Sequence, residues 1–106
     1  MLLYNVTVSV DEDIVEDWLQ WMRSVHIPDV LNTGCFLECR LTKIMAYEEG
    51  GKSFSIQYLA ESKEKYDHYQ SVFASALQVE HTERYNGKFA AFRTLLDVIE
   101  ISKPNS

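Results

Sequence analysis

What most constrains this chain is a change in the period of its apolar residues that happens twice. From Leu2 to Val10 the period is two, with Tyr4, Val6, Val8 and Val10 on one side and Leu3, Asn5, Thr7 and Ser9 on the other, as in a half-buried strand. The next stretch, DEDIVEDWLQWMRSV, shifts to helical spacing, with Ile14, Trp18, Trp21, Met22 and Val25 on one stripe. Glu12, Asp13, Glu16 and Asp17 load its first turns, where the helix dipole favours acids. Asp11 or Asp13 is placed to cap it. Pro28 predicts the end of this helix, with PDVLN forming one further short turn and Gly34 reversing the chain.

The cycle then repeats. Residues Cys35 to Tyr47 alternate again, EEGGK is a hairpin signal, and Ser53 to Ala60 supply the partner strand. Ser62 caps a second helix with Tyr66, Tyr69, Phe73, Ala76 and Leu77 on one stripe; Asn86-Gly87 ends it and Phe89 to Ile101 form the last strand. The order βαββαβ predicts an α+β ferredoxin-like sandwich, because right-handed crossovers put both helices on one face of a four-stranded antiparallel sheet. With 106 residues, 46% of them hydrophobic, one core is expected. The domain should span residues 1–101, with 102–106 as a flexible polar tail.

Such a fold leaves one sheet face uncovered. Asn5, Thr7, Ser9, Ser55 and Gln57 should lie there, joined by Glu38, Arg40, Thr42, Arg93 and Asp97 from the edge strands. Leu3, Leu59, Leu95 and Ile99 are interspersed among them. That mixed polarity is typical of an interface, so a homodimer through this face, closing an α/β barrel, is expected. Inside it the charged groups need partners.

The formal charge of −6 argues against nucleic acid and anionic membrane as partners. MLLYNVTVSV lacks a basic n-region and a signal-length apolar run, so the chain is expected in the cytoplasm. If Cys35 and Cys39 share a strand they lie roughly 13 Å apart at about 3.3 Å per residue, beyond disulfide reach. Free thiols in a reducing compartment are expected.

The run MLLYNVTVSVDEDIVEDWLQWMRSVHIPDVLNTGCF, then IQYLAES, then ERYNGKFAAFRTLLDVIE resembles a bacterial family of small proteins known only as a domain of unknown function. That family is grouped with the dimeric α/β-barrel superfamily, which also holds antibiotic-biosynthesis and haem-degrading monooxygenases, muconolactone isomerases and EthD-like proteins. The resemblance covers nearly the whole chain and implies a ferredoxin-like dimer of open activity. Haem-degrading relatives carry an asparagine on strand one, a tryptophan near the end of strand three and a histidine on the second helix. Asn5 and either His68 or His81 match two of these, while YLAES stands in the tryptophan's place.

The candidate catalytic residue is His26, at the expected end of the first helix near Phe36, Tyr58 and Ile99, where EthD-like proteins also carry a histidine. It is suited to general acid/base work; alternatively it only bonds carbonyls freed at the helix end. Candidate ligand-binding residues are Asn5, Trp18, Arg40, Tyr58 and Arg93, with Arg40 or Arg93 holding an anionic group. Trp18 equally suits plain core packing. His81 is expected at the opposite pole of the domain, apart from His26. The histidines and cysteines have no metal-site spacing, and no cofactor is expected. These residues suggest a cavity that binds a small hydrophobic or anionic metabolite, with monooxygenase- or isomerase-like chemistry and no cofactor. The alternative is a non-enzymatic dimeric interaction or regulatory module.

Overall fold

The computed structural model describes residues 1–105. Strand β1 (Leu2–Asp11) leads through a short 3₁₀ turn into helix α1 (Val15–Trp21), a wide turn at Met22–His26 and helix α2 (Ile27–Leu31). Strands β2 (Glu38–Lys43) and β3 (Gly51–Ala60) form the hairpin; helices α3 (Lys63–Val72) and α4 (Ala74–Arg84) precede β4 (Phe89–Asp97). The sheet order is β2-β3-β1-β4 and each neighbouring pair is antiparallel. This is the ferredoxin-like α+β arrangement expected from the sequence. Among the described residues no helix is long and apolar enough to cross a membrane.

Pro28 does not end the first helix. The chain stays helical from Val15 to Leu31, because the turn before the proline widens: the Ile27 N–H bonds the Met22 carbonyl, five residues back. A proline lacks the N–H that an α-turn needs and crowds the carbonyl four residues back. A π-type turn absorbs both defects. Gly34, at φ 78°, then reverses the chain.

Ser62 caps α3, its hydroxyl accepting from the Lys65 N–H at 3.2 Å. At Gly51 a Cβ would come within 2.8 Å of the Val10 carbonyl oxygen, so only glycine lets β3 start this close to the end of β1. The last strand stops at Asp97 rather than Ile101, because β1 begins at Leu2 and offers no partner beyond the bond from Val98 N–H to the Met1 carbonyl.

Between helices and sheet lies an aromatic-rich core. Trp18 and Ala60 are fully buried, and Tyr4 packs among Phe36, Tyr58, Tyr66 and Tyr69 with ring centroids 5.2 to 6.1 Å apart. Ala74, not Ala76, is the buried alanine of the second helical run.

The register corrects one expectation about the uncovered face. Val6 pairs with Arg93 and Tyr4 with Leu95, so Arg93, Leu95 and Asp97 lie on the helix side. Phe92, Thr94 and Leu96 take the open face instead. Phe89 and Ala91 pack against the core beneath the helices, and a period of two then carries every odd position of β4 to the same side. The open face proper runs in rows: Glu38, Leu59, Leu3 and Leu96; then Arg40, Gln57, Asn5 and Thr94; then Thr42, Ser55, Thr7 and Phe92.

Candidate functional site

A partly enclosed cavity of about 50 Å³ lies between the helical layer and the sheet, with Tyr4, Tyr58, His26, Gln78, His81 and Arg93 in its wall. Each is delivered by alternation or by helical spacing. Tyr4 and Arg93 stand on the helix-facing side of β1 and β4. Tyr69, Phe73, Leu77, His81 and Tyr85 are each four residues apart, the i, i+4 row that a helix turns to one side.

The expectation that His26 and His81 occupy opposite poles is wrong. Their ring centroids are 5.7 Å apart in an edge-to-face arrangement. With α2 extending the helical run to Leu31, His26 sits in its middle and not in its last turn, which also removes the role of bonding freed terminal carbonyls. His26 stacks on Trp21 at 5.1 Å, and its Nδ1 is buried without a hydrogen-bond partner. His81 Nε2 accepts a hydrogen bond from the Trp18 indole N–H at 2.9 Å, and its ring meets Phe89 edge-on at 4.4 Å.

Burial dominates the electrostatics. It pulls His26 down to about 4, with Asp29 opposing only weakly. It also lowers His81 to about 4, assisted by the nearby His26 and by the positive charge of Arg93. Burial raises Tyr4, against the attraction of Arg93, and raises Tyr58 and Tyr69. The Cys39 thiol, opposite Tyr58 in the ladder, is pushed up to about 11 by burial. At neutral pH His26, His81 and the phenols of Tyr4, Tyr58 and Tyr69 are therefore uncharged. Arg93 carries the one charge in the cavity wall. Its Nε donates to the Tyr4 hydroxyl at 3.1 Å, and among the described residues no carboxylate forms an ion pair with it.

Three of the sequence candidates, His26, Tyr58 and Arg93, thus meet in one wall. Trp18 is buried behind it and acts on it only through His81. Asn5 and Arg40 are cross-sheet neighbours of Gln57 on the opposite face and do not join this site. The Asn5 amide is occupied there, donating to Thr7 Oγ1 at 3.1 Å and accepting from Ser55 Oγ at 2.6 Å. Tyr4, Gln78 and His81 were not foreseen as lining. The four-residue row through Tyr69, His81 and Tyr85 is the signal that could have found His81. Both cysteines are free thiols, Cys35 buried and Cys39 half-buried. Among the described residues no group of three or more potential ligands could hold a metal ion.

Residues 1–99 match the family described as a domain of unknown function, DUF4286. The chain belongs to the DUF4286 family. No curated protein matches this DUF4286 chain, but solved structures share its fold. A dimeric ferredoxin-like protein from an uncultured marine organism superposes with a TM-score of 0.73 at 16% identity, over 98% of this chain and 100% of its own. HapK from Hahella chejuensis gives 0.74 at 7% identity with both chains fully covered. The haem degrader MhuD from Mycobacterium tuberculosis, which holds two haems in its active site, gives 0.66 at 15% identity over 97% of this chain and 100% of its own.

Haem does not fit the DUF4286 chain as it stands. A cavity of about 50 Å³ holds a few water-sized groups, far less than a porphyrin. Asn5 faces away from it, and His68 is exposed.

Proposed function

We propose that this DUF4286 protein is a cytoplasmic homodimer that closes through the open sheet face and binds a small anionic or hydrophobic metabolite in the sheet–helix cavity of each protomer. In this reading residues 1–101 form the domain and 102–105 a flexible tail, the tail's last residue, Ser106, lying outside the described residues. The dimer is supported by Leu3, Leu59, Leu96 and Phe92 on the uncovered face, more apolar surface than a monomer usually leaves wet. It is also supported by the likeness to a dimeric ferredoxin-like protein. Free Cys35 and Cys39 suit a reducing compartment.

The observation that carries the ligand reading is Arg93. In a chain of net charge −6 it stands, exposed, at the cavity wall without an acidic partner among the described residues, and a guanidinium left without a carboxylate is a bidentate anchor for an oxyanion. In this reading neutral His26, in the same wall, takes a proton from a bound substrate, which would make the chemistry isomerase- or monooxygenase-like without a cofactor. A second reading has its own observation: a cavity this small is largely filled by the protein's own aromatic rings, as a non-enzymatic interaction module requires.

Native mass spectrometry of the protein purified from its own host, followed by denaturing analysis of released material, tests both. A dimer carrying a small molecule is the expected result. A bare dimer favours the interaction module, and a monomer overturns the barrel.

A further inference from the structure

The strand-like alternation at the end of the chain runs further than the sheet does. Strand β4 stops at Asp97 and the Val98 N–H bonds the Met1 carbonyl; among the described residues the backbone beyond makes no other backbone hydrogen bond. Yet Val98, Ile99 and Ile101 are β-branched residues suited to a strand, and Pro104 is the first residue that could not donate in a ladder. Ile99 is 88% exposed and Ile101 64%. Continued at the period of β4, both fall on the helix side and Glu100 on the open-face side.

The far edge of the sheet has the complementary lack. Strand β2 lies at that edge, so one row of its backbone groups has no ladder partner. It carries half-buried Cys39 and Leu41 on the helix side, paired with core residues Tyr58 and Ile56, and exposed Arg40 on the open face. Among the described residues neither Arg40 nor Glu100 forms an ion pair. The Glu100 carboxylate only accepts from the Ser102 hydroxyl, at 2.8 Å.

We propose that residues 99–101 of one protomer add as a short antiparallel strand to the outer edge of β2 in a second copy of the chain, with Glu100 opposite the partner's Arg40, Ile99 opposite the partner's Leu41 and Ile101 opposite the partner's Cys39. The proposal rests on the homodimer reading above and names what joins the edges of the two packed sheets. A two-fold axis along the strands exchanges the edges of a sheet and keeps strand direction, so it lays each β4 over the partner's β2. Within the sheet β4 runs against β1 and β2 runs with it. A chain leaving β4 therefore meets β2 antiparallel. Parity agrees: Glu100 and Arg40 both face the interior between the sheets, while the isoleucines join Leu41 and Cys39 outside it. The other free edge, β4 itself, offers Phe92, Thr94 and Leu96 on its open side, none of them a counter-charge for Glu100.

The register can be trapped with a thiol the chain already has. Residues directly opposite in an antiparallel pair have Cα atoms about 4.5–5.5 Å apart, within disulfide reach, so Ile101→Cys should oxidise to a covalent dimer on a non-reducing gel. Adding Cys39→Ser should abolish it, and Glu100→Cys, on the other face, should not form it. Within one protomer β4 and β2 are three strand spacings apart, about 14 Å, so a link inside the chain is not expected. By sedimentation equilibrium Arg40→Glu and Glu100→Arg should each weaken the dimer about tenfold or more, and the double reversal should recover most of the loss. A cross-link that survives Cys39→Ser, an equal yield from Glu100→Cys, no cross-link in a protein that sediments as a dimer, or single reversals without effect would each overturn the strand exchange and leave the face-to-face dimer standing. A parent chain that sediments as a monomer would remove both.

Discussion

The indole N–H of Trp18 donates to Nε2 of His81 at 2.9 Å across 63 residues of sequence, tying the first helical run to the second behind the cavity. The bond is buried and ties α1 to α4. It also fixes the protonation of a titratable group, since His81 cannot take a second proton at Nε2 while the indole N–H points at it.

Trp18→Phe should therefore do two separable things. It removes the donor and part of a fully buried ring, costing about 2–4 kcal/mol in chemical denaturation. It also frees Nε2 to take a proton, so the titration of His81, lowered to about 4 chiefly by burial, should move up by part of the way to 6.5. Nuclear magnetic resonance of the imidazole protons against pH measures the second effect directly. Lost stability with an unmoved His81 titration would mean that the indole only fills space.

The two histidines predict acid sensitivity of a definite sign. Both titrate near 4 when folded, against 6.5 as the ordinary value. Above pH 6.5 neither state binds the proton and the pair contributes no pH dependence. Between 6.5 and 4 the unfolded chain takes up protons that the folded one refuses, so stability falls as pH falls. Discounted for partial exposure, the loss across that window is about 2–4 kcal/mol for the pair. Denaturation midpoints measured at pH 7, 5.5 and 4.5 check it. His26→Phe should flatten the curve relative to the parent, which separates the histidines from carboxylates that titrate lower.

The fold was legible because each strand and helix advertises its own period, and because two cycles of strand, helix and strand leave few topologies open. The site was less legible, and the failures have particular causes. Pro28 reads as a stop signal, but a widened turn at Met22–His26 carries the helix past it; counted from a helix ending there, His26 lands at the wrong pole, away from His81. Arg93 reads as an open-face residue if charge is taken to avoid the helix side. Phe89, however, fixes the parity of β4, and parity outweighs the preference of one long side chain whose charged end can reach the cavity rim. Asn5 alternates correctly with Tyr4 and so was placed on the right face, but that face is not the one that lines the cavity.

The same register makes the open face testable without disturbing the site. Phe92 is 63% exposed and Leu96 is 40% exposed, both on the outer strand β4 and on the side away from the cavity, so neither supports the core of a single protomer. A charge introduced there costs little in a monomer, where water solvates it. Between two sheet faces it would be desolvated without a partner, at a cost of several kcal/mol per dimer. Phe92→Glu combined with Leu96→Glu should therefore halve the mass read by light scattering while leaving the circular dichroism spectrum and the edge-to-face contact of His26 and His81 unchanged. A double variant that keeps the parent mass would mean that the protomers do not meet through this face, and the apolar row of Leu59, Leu3 and Leu96 would then need another explanation.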